Sequence, residues 1–195
     1  MPNAPEQEFL SRTQALAHVG SWEWDLAADA ITWSAETYHI LGVAPTPEPF
    51  TYEGYLALIH PDDRAVVRAA VARALETLVP FAVDYRIVRP DGAVRFLWGR
   101  GGVLSDSTGR PARLAGVVLD ITARYQAEET LRRLAASVAH DCNNLLTAIL
   151  GSGDFLLEIL PPGHPGREEA EAVRQAALRA GELTRQLLTF GRQQP

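Results

Sequence analysis

Lysine is absent from this sequence, and all 18 basic residues are arginine. That excludes a lysine Schiff base and the lysine of a phosphate-binding loop. One cysteine among 195 residues excludes an internal disulfide and suits a reducing compartment. No run of 18 apolar residues occurs, and Met1 to Ser11 is polar and acidic, without the basic-then-apolar order of a secretory signal. The expectation is a soluble, cytoplasmic chain with no membrane partner. A net charge of -6 with no basic cluster argues against a nucleic-acid partner. No histidine, cysteine or carboxylate pair has metal-ligand spacing, so no metal site is expected.

What is present divides into two patterns, and with 47% hydrophobic residues either can support a core. Residues 1–19 predict an amphipathic helix bearing Phe9, Leu10, Leu16 and Ala17, stopped by Gly20. Ser21–Leu26 and Ile31–Ser34 alternate aromatic and polar residues around a turn, as a hairpin does. Ser34 can cap a short helix that Gly42 ends, and Pro45, Pro47 and Pro49 make a loop. His60-Pro61-Asp62-Asp63-Arg64 reads as a helix start. Pro61 suits the first position, and two aspartates complement the dipole of a helix carrying Val67, Ala70, Val71, Ala74 and Leu78. Three strands follow, Phe81–Arg89, Val94–Leu104 and Pro111–Ile121, the first two joined by Pro90-Asp91-Gly92. Two strands, short helices and three strands fit the α+β plan, a five-stranded antiparallel sheet with helices on one side.

Gly20-Ser21-Trp22-Glu23-Trp24-Asp25, His60-Pro61-Asp62-Asp63-Arg64, Asp91-Gly92 with Arg95, and Asp120-Ile121-Thr122 together resemble a PAS domain over residues 20–122. The resemblance implies a sensor module enclosing a small cavity, with Asp120, Ile121 and Thr122 as the junction into the next helix. Its ligand is unknown. The absence of cysteine from this part excludes cysteinyl-flavin photochemistry, while a loosely held flavin or another apolar ligand stays open. His39 could face the cavity, but haem ligation through it is disfavoured, because the following long helix, where haem-binding PAS domains carry their ligand, contains no histidine. His60 reads as a structural residue at a helix start.

From Ala123 the period changes to that of one helix of about 38 residues, about 57 Å at 1.5 Å each, with Thr122 as its cap. Leu131, Leu134, Val138, Leu145, Ala148, Phe155 and Ile159 follow a and d heptad spacing, with Asp141 at one d position. Pro161-Pro162-Gly163 ends that helix. A second, from about Gly166 to Gly191, carries an apolar stripe of Val173, Ala176, Ala180, Leu183, Leu187 and Phe190. A hairpin with such a stripe predicts a four-helix bundle formed by a homodimer, with 123–136 as a signalling linker and 137–195 as the hairpin proper.

Within the first helix, His140-Asp141-Cys142-Asn143-Asn144-Leu145-Leu146 places one imidazole, one carboxylate and two amides on an otherwise apolar segment. At about 100° per residue His140 and Asn144 share a face, with Cys142, Leu145, Leu146 and Ile149 on the other side. Histidine is the side chain whose neutral and charged forms coexist near pH 7, so a water-facing imidazole offers a nucleophilic nitrogen. These seven residues resemble the phosphoacceptor box of sensor histidine kinases, in the subgroup whose box reads His-Asp-Phe-Asn-Asn-Leu-Leu. The resemblance implies that His140 receives phosphate from ATP and passes it to an aspartate of a response regulator receiver domain. It also implies that Asp141 assists proton transfer and that Asn144 orients phosphate or a hydrolytic water. Cys142 stands where the subgroup has an aromatic. Gly181 to Phe190 matches the usual ending of the family's second helix.

No glycine-rich ATP lid and no Asp-x-Gly-x-Gly nucleotide box occur in the sequence. The expectation is part of a longer cytoplasmic kinase. Its ATP and magnesium would be bound by a further domain, without which this stretch cannot phosphorylate itself. The rival reading is a PAS and coiled-coil dimerisation and ligand-binding module in which His140 is inert.

Overall fold

The computed structural model describes residues 4–190, and the side chains of residues 4–7, 10, 11 and 186–190 lie outside the described residues. Leu10, Leu187 and Phe190 of the expected apolar stripes are among these. The chain separates into two compact units, residues 1–125 and 126–195.

The first unit begins with α1 (Ala4–Ala17), which His18 ends by turning left-handed at φ 51°. Gly20 therefore does not stop the helix; it lies inside β1 (Val19–Asp25). A Cβ there would stand 2.5 Å from Thr37 Oγ1 and 2.9 Å from Val118 Cγ1, so glycine is required by close packing. β2 (Ala30–Trp33) returns along β1, with Trp22 opposite Trp33. Ser34 caps α2 (Ala35–Leu41) by accepting from Thr37 N–H, and Gly42 ends it at φ 67°. α3 (Tyr52–Leu58) is capped by Thr51. Pro61–Asp63 then form a single 3-10 turn, and α4 runs from Arg64 to Thr77.

The expected helix start at Pro61 thus falls three residues late. Asp63 is not spent on the helix dipole: its carboxylate accepts from the backbone N–H, Nε and Nη2 of Arg86, 23 residues away. Those bonds hold its carboxyl below the ordinary aspartate range. Val67, Val71 and Ala74 are buried as expected, whereas Leu78 is a left-handed C-cap, half in solvent.

β3 (Phe81–Val88), β4 (Val94–Ser105) and β5 (Pro111–Asp120) complete an antiparallel sheet ordered β2-β1-β5-β4-β3. Alternation puts Phe81, Tyr85 and Ile87 inward, Tyr85 and Ile87 against Leu41, Leu56, Ile59 and Leu97, and Phe81 against Val71, Ala74 and Leu114. Trp22 lies across the facing pair Gly101 and Gly116. A Cβ on Gly116 would meet Arg100 O at 2.1 Å and the Trp22 ring at 2.6 Å. Gly116→Ala is therefore expected to cost about 3 kcal/mol, the upper end of ordinary overpacking. Unfolding followed by tryptophan fluorescence checks this, because Trp22, Trp24, Trp33 and Trp98 all belong to the first unit. An unchanged denaturation midpoint would contradict it.

The second unit is a hairpin. α5 (Thr122–Ile159) spans 38 residues and starts inside the first unit, and α6 (Gly166–Phe190) returns after Pro161-Pro162-Gly163. Arg167 closes the loop by donating to Leu157 O and Leu160 O at the end of α5, and Arg174 on α6 pairs with Asp154 at 2.7 Å. Small residues, Ala139, Ala170, Ala177 and Thr184, are buried within the hairpin.

Candidate phosphoacceptor site and sensor cavity

His140, Asp141 and Asn144 occupy adjacent positions on α5 because one helical turn brings residues i and i+4 together. The His140 side chain is 74% exposed and that of Asp141 73%. Asp141 Oδ1 lies 3.4 Å from His140 Nδ1, and Asn144 Nδ2 lies 3.3 Å from the same nitrogen. The two contacts call for opposite tautomers. With Nδ1 protonated, the ring donates to Asp141 and Nε2 keeps its lone pair. With Nδ1 bare, it accepts from Asn144 and Nε2 carries the proton. The carboxylate thus supports the form in which Nε2 keeps its lone pair. Cys142 and Leu146 are half-buried on the opposite side, while Leu145 remains 66% exposed.

Leu145 is not alone. Leu131, Leu134, Val138, Phe155, Ile159, Val173 and Leu183 are each more than half exposed. The apolar stripe read from the sequence is therefore left uncovered within one hairpin. An open groove of about 530 Å³ runs along it, lined by Ile149, Leu156, Leu160, Ala170 and Val173.

In the first unit, Trp22, Trp24, Trp33, Thr37, Tyr55 and Tyr85 help to line an apolar cavity of about 50 Å³. The hydroxyls of Tyr55 and Tyr85 hydrogen-bond one another, and burial pushes both phenols up, Tyr85 to about 12. Small-molecule sites generally span about 300–1,000 Å³, so this cavity is small beside an ordinary ligand site. His39 does not line the cavity. Its side chain is exposed at the end of α2, in line with the reading that disfavours it as a haem ligand. His60 Nδ1 accepts from Asp62 N–H at 3.4 Å, the structural position expected of it. Among the described residues no cluster of histidine, cysteine and carboxylates could hold a metal ion.

At the junction, Thr122 is not the cap of α5. Its hydroxyl accepts from Phe96 N–H at 2.9 Å, and Asp120 Oδ1 instead accepts from Thr122 N–H at 2.9 Å. Ile121 N–H donates to Phe96 O, and the rings of Phe96 and Tyr125 stack at 3.8 Å. Sequence reasoning missed Arg89, which donates to Ile40 O at the end of α2, and Arg95, whose buried Nε has no hydrogen-bond partner among the described residues. Strand parity carried a signal for both, since odd positions of β3 and β4 face inward and an inward arginine needs a partner.

Residues 30–118 match the PAS fold family, and residues 130–195 match the His Kinase A (phospho-acceptor) domain family. The structure resembles that of a sensory box histidine kinase/response regulator from Burkholderia thailandensis. The two share 31% identity with a TM-score of 0.56, over 66% of this chain and 96% of that one. The chain belongs to the sensor histidine kinase family. Its curated relatives include sensor protein FixL of Bradyrhizobium diazoefficiens, 31% identical over 138 residues, which are 69% of this chain and 27% of the relative. A blue-light-activated histidine kinase of Brucella abortus is 31% identical over 146 residues, 75% of this chain and 29% of the relative. This sensor kinase chain thus spans less than a third of the length of those relatives. It pairs a PAS sensor with a phospho-acceptor domain of two-component signalling, and none of its described helices is long and apolar enough to cross a membrane.

Proposed function

We propose that His140 is the phosphoacceptor of a cytoplasmic two-component kinase and that the PAS unit regulates its phosphorylation. The observation that carries this reading is the exposed His140 with Asp141 on Nδ1, inside a matched phospho-acceptor domain. In the reaction the Nε2 lone pair forms a bond to the γ-phosphorus of ATP, the bond from that phosphorus to the ADP oxygen breaks, and Asp141 holds the Nδ1 proton. Phosphoryl transfer depends mainly on positioning and charge neutralisation, so ATP and magnesium must come from a nucleotide-binding domain. The phosphoryl group then passes to an aspartate of a receiver domain. Asn144, one turn from His140, orients phosphate or a hydrolytic water. A second copy of the hairpin covers the apolar stripe, giving a dimeric four-helix bundle.

Regulation travels through Asp120, Ile121 and Thr122, which lead from β5 into α5 without a flexible linker. Each inserted residue rotates a helix by about 100°, whereas seven come within about 20° of two full turns. In a kinase carrying its nucleotide-binding domain, one or two residues inserted after Arg124 are expected to change or invert the output. Seven should largely restore it. Equal autophosphorylation at every insertion length would contradict the reading.

A further inference from the structure

Asp120 sits on the inward face of β5, opposite Leu97 of β4. Arg89 extends from the end of β3 and is largely buried, its side chain only 16% exposed. Its Nε and Nη2 donate to Ile40 O at 2.9 and 2.6 Å, and Nη2 also donates to His39 O at 3.3 Å, so its guanidinium closes the carbonyl end of α2. Gly42 lets it lie there, for a Cβ at that position would stand 2.9 Å from Arg89 Cδ. The same Nη2 is 4.0 Å from Asp120 Oδ2, while the other oxygen of Asp120 holds Thr122 N–H at the start of α5. One side chain therefore touches both the helix that walls the cavity through Thr37 and Leu41 and the carboxylate that caps α5. Arg95 lies one inward position along β4 from Leu97, opposite Ile87, and its buried Nε is unpartnered among the described residues. Diagonal positions on neighbouring strands are within reach of long side chains, so the register puts Arg95 at a position from which its side chain can reach Asp120.

We infer that Arg89 is the positioning residue through which a displacement of α2 reaches the start of α5, with Arg95 as the alternative partner of Asp120. A shift of α2 moves the carbonyls that hold Arg89, and its hold on Asp120 moves with them. Released by Arg89, Asp120 turns toward Arg95 and away from Thr122 N–H. The inference deepens the proposed regulation of His140 and rests on that reading for its biological use, but its test does not need phosphorylation.

Hydrogen exchange at the amides of Thr122 to Tyr125 in the 195-residue chain supplies that test. Asp120→Ala removes the cap and is expected to speed exchange there on the order of tenfold. Arg89→Gln should give a smaller increase at the same amides, and the double variant should exchange no faster than Asp120→Ala alone. Arg95→Gln, which removes the competitor, should leave these amides as slow as before or slower. Leu41→Ala, or Leu41→Val where the first does not fold, perturbs α2 from the cavity side. It should alter exchange at Thr122 to Tyr125 in the wild-type background and not in Arg89→Gln. Additive effects of Arg89→Gln and Asp120→Ala, or a Leu41 effect that survives Arg89→Gln, would overturn the inference. Should the exchange results hold while His140 takes no phosphate, the proposed function fails and the relay stands.

Discussion

Replacing His140 with glutamine is expected to abolish phosphoryl labelling of the chain when a nucleotide-binding domain, ATP and magnesium are supplied. Glutamine has no nitrogen lone pair able to attack phosphorus, so the loss should be complete rather than graded. The substitution should leave the fold intact, because the imidazole stands 74% exposed on the surface of α5. Asp141→Asn separates the roles further. An asparagine at this position no longer offers a carboxylate for the Nδ1 proton, so labelling should slow without disappearing. Asn144→Ala should alter the removal of phosphate from the receiver domain more than it alters stability, since Asn144 is exposed. Label retained in His140→Gln would contradict the assignment.

Leu145→Asp is expected to dissociate the dimer while the PAS unit stays folded. Leu145 is 66% exposed in one chain and lies on the stripe with Val138 and Ile149. Covering a leucine contributes about 1.5–3 kcal/mol, and each dimer holds two copies. The loss of both corresponds to about 3–6 kcal/mol, or roughly two to four decades in dissociation constant. Burying two aspartates in their place adds to that. Sedimentation measures the outcome directly, and tryptophan fluorescence reports separately on the PAS unit. A wild type that sediments as a monomer at micromolar concentration, or a variant that dimerises as well as the wild type, would contradict the covered stripe.

The parts of this fold that were legible in the sequence are those fixed by neighbours in the chain. Ser34 and Gly42 bound α2 through contacts within a few residues, and the alternation of Phe81, Val83, Tyr85 and Ile87 follows from the strand period. The His140, Asp141 and Asn144 cluster was legible for the same reason, being formed within one helical turn. Features decided by distant partners were misread. Gly20 resembled a helix stop but is demanded by Thr37 and Val118, and Asp63 resembled a dipole partner but answers to Arg86. The hydroxyl of Thr122 went to Phe96, 26 residues away, leaving its expected capping role to Asp120. The size of the cavity depended on how three tryptophans and three tyrosines pack around it, which no local pattern encodes.

Mapping the phosphate itself tests the central claim most directly. The chain would be incubated with a nucleotide-binding domain of this family, ATP and magnesium, with a known acceptor of that domain as a positive control. Digestion and tandem mass spectrometry at alkaline pH would follow, because phosphohistidine survives base and is lost in acid. The account predicts one phosphate per chain on the peptide containing His140, removed by brief acid treatment. Acid-stable phosphate on Ser137 or Thr147, or an unlabelled His140 beside a labelled control, would contradict it.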